Sequence, residues 1–355
     1  SFICIMQTNI FTYSFPFALE SGEELAGIDI AYSTYGHYVP KKSKVVWVCH
    51  ALTANAAVFD WWQGLFGEKD LFNPMEYFIV CANVLGSCYG STQALSLNPI
   101  THRPYFHTFP FLTIRDMVNA HILLRKYLQI EKIEVLVGGS LGGQQALEWS
   151  VIEKQVIQNQ ILIATNALHS PWGIAFNEAQ RMCITADVTW QENYAEAGLQ
   201  GMKAARAVAL LSYRNEATYQ HFQAEEGEKL QGFRAAAYQQ YQGEKLAKRF
   251  HAFSYMTLSR AMDSHNIARG RGGYPAAVLQ TICANTLVIG INSDILFPLQ
   301  EQQFLAQFIP YASFQSIDSI YGHDGFLLET QTLSRLIGHF LSQKKETTRT
   351  LFSIH

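Results

Sequence analysis

The chain has 355 residues, 48% hydrophobic and 15% charged, enough apolar material for one large core or two ordinary ones. A net charge of -3 argues against general nucleic-acid binding, and no apolar run of ~18 residues is present to cross a membrane. Six cysteines (Cys4, Cys49, Cys81, Cys88, Cys183, Cys283) are scattered without metal-ligand spacing, and no His-Glu-x-x-His pattern occurs. Reduced thiols, a cytoplasmic setting and no bound metal are therefore expected. No basic leader with a cleavage site opens the chain. Its start at Ser1 rather than Met suggests a lost initiator or a short missing segment.

Taken in order, strand-like and helix-like runs alternate through the first part. Residues 28–35 and 45–49 read as strands, followed by a loop of small residues, His50-Ala51-Leu52-Thr53-Ala54-Asn55. Residues 77–82 form another strand-like run, ending at Asn83-Val84-Leu85-Gly86. Apolar positions at helical spacing fill 114–128, then come a strand at 133–137, a helical run at 144–149 and a short strand at 160–164. Such alternation implies a mostly parallel sheet covered by helices. From about Trp172 to Met262 no convincing strand occurs; residues 204–211 and 233–250 look helical. This stretch reads as a helical insertion, or lid, over 171–275, with a core made of 1–170 and 276–355. An Arg/Gly cluster at 268–275 reads as a flexible return to the core rather than an RNA-binding segment. Strands resume at 286–291 and near 313–317, and the polar tail from Lys344 is expected to fray.

The apolar run 133–137 leads straight into Gly138-Gly139-Ser140-Leu141-Gly142-Gly143. Strand, Gly-x-Ser-x-Gly and helix in that order are what a nucleophile elbow requires, because only small flanking residues let the backbones pass at so tight a turn. Ser140 is the expected nucleophile, and the Leu141 N–H is an expected oxyanion donor. A second donor is expected from the Leu52 N–H, in the loop after the strand 45–49. A serine needs a base and the base an orienting carboxylate, in the chain order Ser, Asp or Glu, His. Asp294 directly follows the strand 286–291, and His323 lies in the Gly-flanked loop Tyr321-Gly322-His323-Asp324-Gly325.

These residues together resemble the homoserine O-acetyltransferase family of the α/β-hydrolase fold. The resemblance covers nearly the whole chain. It is carried by His50-Ala51-Leu52-Thr53, Asn83-Val84-Leu85-Gly86-Ser87-Cys88-Tyr89-Gly90-Ser91, the elbow, Ser293-Asp294-Ile295-Leu296-Phe297-Pro298 and Tyr321-Gly322-His323-Asp324. In the insertion, Ala205-Arg206 and Ser212-Tyr213-Arg214 also match. The sequence departs from the family's pattern at Ser87, at Gln93-Ala94 and at His251-Ala252-Phe253-Ser254-Tyr255. The resemblance implies an acetyl-serine intermediate at Ser140, with acetyl-CoA and L-homoserine as small-molecule substrates, no cofactor, and a homodimer. It implies that Arg206 and Tyr213 help hold homoserine and that Asp324 meets its amine. A succinyl donor, a serine acceptor, or a plain serine esterase or thioesterase of the same fold would need the same triad.

Overall fold

A computed structural model describes the backbone from Gln7 to Phe352 and the side chains from Thr8 to Gln343. Strands β1 (Gln7–Tyr13), β2 (Phe17–Ala18), β3 (Glu24–Leu25), β4 (Ile28–Tyr35) and β5 (Lys44–Cys49) are followed by helix α1 (Val58–Trp61) and β6 (Tyr77–Ala82). Then come α2 (Ile114–Tyr127), β7 (Ile133–Gly139), α3 (Leu141–Ile152) and β8 (Ile157–Ile163). Six helices follow with no strand between them: α4 (Pro171–Thr185), α5 (Leu199–Tyr213), α6 (Glu216–Gln223), α7 (Arg234–Ala247), α8 (Ala252–Asp263) and α9 (Pro275–Leu279). The sheet resumes with β9 (Asn285–Ile291), α10 (Leu299–Phe308) and β10 (Ala312–Ile317), and the described chain closes with α11 (Gly325–Leu328) and α12 (Thr330–Phe352).

Eight strands form one sheet in the order β1-β4-β6-β5-β7-β8-β9-β10. The β1–β4 and β4–β6 pairs are antiparallel and the other five parallel. Chain crossovers between parallel neighbours put helices on both faces, so the central strands are apolar on both sides. Along β5, Val46 and Val48 face one apolar cluster with Trp62, Phe66 and Ile337, while Val45 and Trp47 face another with Leu136, Trp149 and Val288. That is the two-residue period of a strand. A third cluster joins Leu52, Val84 and Leu141 of the sheet's edge to Ile184, Met202, Phe253 and Leu258 of the helical stretch.

Local signals explain the helix starts. Thr113 and Asp116 form a capping box on α2, and Ser170 caps α4 just before Pro171. His251, one of the departures noted above, caps α8 by accepting the Ser254 N–H at 3.1 Å. The Arg/Gly return is anchored rather than loose: Arg269 pairs with Glu20 at 2.6 Å and Arg271 with Glu148 at 2.5 Å. Cys49 and Cys81 are buried free thiols, Cys88, Cys183 and Cys283 are also unbridged, and Cys4 lies outside the described residues. The tail from Lys344 is described as backbone only, as helix to Phe352, and residues 353–355 lie outside the description.

Candidate active site

The parallel register aligns the carboxyl ends of the central strands. Cys49 of β5 lies opposite Gly138 of β7, and Gly139 opposite Ile163 of β8. Open α/β sheets place their chemistry at this edge. Ser140 occupies the one-residue junction between β7 and α3, with φ 56° and ψ -126°. A non-glycine residue held there costs on the order of 1–3 kcal/mol and persists only where its surroundings enforce it. Here the enforcement is backbone packing. A Cβ on Gly142 would sit 2.1 Å from the Cys49 carbonyl oxygen, and one on Gly138 would sit 2.3 Å from the Gly142 carbonyl. The Ser140 N–H donates to the Ile163 carbonyl at 3.0 Å, and the Thr165 hydroxyl donates to the Ser140 carbonyl at 2.8 Å.

Asp294 and His323 arrive from the ends of β9 and β10. His323 Nδ1 lies 2.6 Å from Asp294 Oδ2. The other carboxylate oxygen, Oδ1, accepts the N–H groups of Leu296 and Phe297 at 2.8 and 2.9 Å. Asp294 is thus a turn-forming residue and a partner of His323 at once. The imidazole stacks on Phe297 (5.0 Å, 17°) and meets Phe326 edge-on at 5.3 Å. Burial alone would lower the His323 pKa. The Asp294 charge and hydrogen bond, helped by Asp324 and Glu301, outweigh it, and the net direction is upward.

Ser140, His323, Leu52, Thr53, Arg206, Tyr213, Asp324 and Asn177 line one narrow cavity. All the residues singled out in the sequence come to this cavity except Leu141 and Asp294, which stand immediately behind it. Leu141 is the first residue of α3, so its N–H has no acceptor within the helix. Arg206, on α5, is partly buried; its Nε–H has no partner, and its guanidinium lies 5.5 Å from the Tyr213 ring centroid. Burial raises the Tyr213 pKa, opposed by Arg206. Asp324 differs from expectation in one respect. It does not stand free for an amine: its Oδ2 lies 3.0 Å from Arg214 Nε, although the Nε–H is not aimed at it. Burial raises the Asp324 pKa against the pull of Arg214.

Besides Asn177, two charged neighbours of the site were not singled out from the sequence. Arg214 lay inside a matching motif, but nothing in the sequence pairs it with Asp324. Glu301, three residues past the Phe297-Pro298 turn, accepts from Asn166 Nδ2 at 3.4 Å, and burial pushes its carboxyl up to about 7. Among the described residues no group of His, Cys, Asp and Glu is arranged to hold a metal. No helix among them is long and apolar enough to cross a membrane.

Comparison with known proteins bears on the fold and the family. A family model described as the alpha/beta hydrolase fold matches residues 44–330. A homoserine O-acetyltransferase from Cyclobacterium marinum is 47% identical over 335 residues, covering 94% of this chain and 95% of that protein. The crystal structure of a homoserine O-acetyltransferase from Staphylococcus aureus is 30% identical and superposes with a TM-score of 0.79, covering 95% of each chain. The crystal structure of esterase E22 superposes with a TM-score of 0.87 at 20% identity, covering 95% of this chain and all of that one, a likeness of fold alone. An α/β-hydrolase sheet with a strained Ser140 at its edge, matched along nearly its whole length by these relatives, places the chain in the homoserine O-acetyltransferase family.

Proposed function

We propose that this protein transfers the acetyl group of acetyl-CoA to the side-chain hydroxyl of L-homoserine, by way of an acetyl-Ser140 intermediate. The observation that carries the acceptor half is Arg206: among the described residues its guanidinium makes no ion pair and its Nε–H has no partner, in the same cavity as Ser140 and His323. A cation kept unpaired in a protein interior is costly unless an anion arrives to meet it.

Asp294 orients His323 and stabilises its imidazolium form. His323 takes the Ser140 proton as the hydroxyl attacks the thioester carbonyl. The tetrahedral oxyanion is met by the N–H groups of Leu52 and Leu141, and the thiolate of CoA leaves with the proton returned by His323. The homoserine hydroxyl then gives its proton to His323 and attacks the acetyl ester, which regenerates Ser140. Arg206 and Tyr213 hold the acceptor, the guanidinium gripping its carboxylate through two N–H groups. The ammonium group shares Asp324 with Arg214. The kinetics are ping-pong. The helical stretch from α4 to α9 acts as a lid that keeps water from the acyl-enzyme. The family resemblance supports a homodimer as the working form, the unbridged cysteines support a cytoplasmic setting, and no cofactor takes part.

A hydrolase reading uses the same triad, and esterase E22 shares the fold, so the acceptor decides between the two. Following thiol release from acetyl-CoA with and without L-homoserine tests the proposal. Sustained release only in the presence of homoserine is expected. Equal release without it would make the protein a thioesterase.

A further inference from the structure

His50 is fully buried at the end of β5 and has no part in the triad. Both of its ring nitrogens are engaged. Nε2 receives the Val84 N–H at 3.1 Å, and Nδ1 lies 2.8 Å from the Ala51 carbonyl oxygen. A backbone N–H can only donate and a carbonyl can only accept, so the two contacts independently require the same tautomer, with the proton on Nδ1. Burial, only partly offset by the bond to Ala51, pushes the imidazole down to about 4, so the ring is neutral at working pH.

The Ala51 carbonyl belongs to the same peptide unit as the Leu52 N–H. That unit is planar, and in its trans form the two dipole ends point in opposite directions. Fixing the carbonyl on one edge fixes the direction of the N–H on the other. We propose that His50 is the positioning residue of the oxyanion site: its Nδ1–H grips the Ala51 carbonyl and thereby aims the Leu52 N–H into the cavity that holds Ser140. This rests on Leu52 being an oxyanion donor, as proposed above. The grip has a second effect. A hydrogen bond to the carbonyl polarises the amide and strengthens its N–H as a donor. The Ala51 carbonyl also accepts the Ala54 N–H at 3.1 Å, within the same turn, and Gln145 Nε2 donates to the His50 carbonyl at 3.0 Å. Among the described residues His50 supplies the side-chain bond to this peptide, from a ring whose own orientation is fixed at both nitrogens, whereas the Ala54 bond moves with the loop itself.

Two substitutions separate the two contacts. In His50→Asn the amide nitrogen falls near the Nδ1 position and can still donate to Ala51. In His50→Gln the amide oxygen falls near Nε2 and can still accept from Val84, while the donor to Ala51 is lost. The readout is the burst of p-nitrophenol from p-nitrophenyl acetate, which reports acylation of Ser140 without CoA or homoserine. Wild type should show a burst. Its absence would strike at Ser140 as the nucleophile and not at His50, and a Ser140→Ala control makes that distinction. We expect His50→Gln to acylate about 100-fold more slowly with KM little changed, the low end of the loss for an oxyanion donor. His50→Asn should stay within about tenfold of wild type. Equal losses in the two variants, or losses that follow melting temperature, would overturn the assignment. If neither variant folds, nitrogen NMR on histidine-labelled wild type decides. An Nε2 coupled to the Val84 amide and unprotonated at pH 7 supports the assignment, and a protonated Nε2 refutes it.

Discussion

Replacing Arg206 with alanine is the sharpest test of the acceptor site. At a separation of ~4 Å and an effective dielectric of ~20, a guanidinium and a carboxylate attract by about 4 kcal/mol. Arg206 is partly buried rather than fully so, and truncating one member of a desolvated pair typically costs about 2–5 kcal/mol. A loss of about 3 kcal/mol is a factor of roughly 100 in homoserine turnover. The first half-reaction does not involve homoserine, so the CoA burst should be unchanged. Decay of the acetyl-enzyme on adding homoserine should slow by the full factor. Arg206→Lys should fall between, since a point charge lacks the planar fork. Stability gives a second readout. In the empty protein Arg206→Ala loses only the contact with the Tyr213 ring and a weak pull on Asp324, so stability should fall far less than the acceptor half-reaction slows. Unchanged homoserine turnover, or an equal slowing of both half-reactions, would refute the reasoning.

Four further outcomes are expected. Ser140→Ala should fold normally yet take up no acetyl group from acetyl-CoA, whereas intact-mass spectra of wild type should gain one acetyl that maps to Ser140; labelling elsewhere would sink the assignment. Acylation needs neutral His323, whose pKa is raised, so the rate should climb with pH through an inflection above 6.5. Asp294→Asn removes the largest raising influence and leaves burial, so that inflection should move to lower pH while the maximal rate falls about 10⁴-fold. Combined with His323→Ala it should add little further loss, because the two act as a unit, and multiplicative losses in a kinetic double-mutant cycle would contradict this. Gly142→Ala should lose at least ~1–3 kcal/mol in urea unfolding, since the new methyl meets the Cys49 carbonyl rather than a movable side chain. An unaffected unfolding midpoint would show that the elbow can yield.

The sheet was legible because β5, β6, β7 and β9 are short apolar runs that end at Gly, Asn or Asp-bearing turns. The tight turn at Ser140 was legible because its geometry demands glycines that the sequence displays. Helix limits in the insertion were less so. The expected helix 233–250 ends at Ala247, and a separate helix begins at Ala252 after His251 caps it, where residue type alone gave no break. Strand β1 was missed: its antiparallel pairing with β4 lies at the sheet's edge, where the exposed face carries no continuous apolar signal. Arg214 with Asp324, and Glu301 beside the triad, depend on contacts between segments far apart in the chain, and no spacing rule reaches them.

The contact between Gly142 and Cys49 has a consequence for how the catalytic parts move. There the elbow and the loop that begins at His50 meet as bare main chain, with no side chain between them to rotate or compress. The distance between these two main-chain segments is therefore set like the gap of a machined joint. A shift of the helices above would have no lever on that gap. The backbone groups on either side of it are placed while the chain folds, before any substrate arrives.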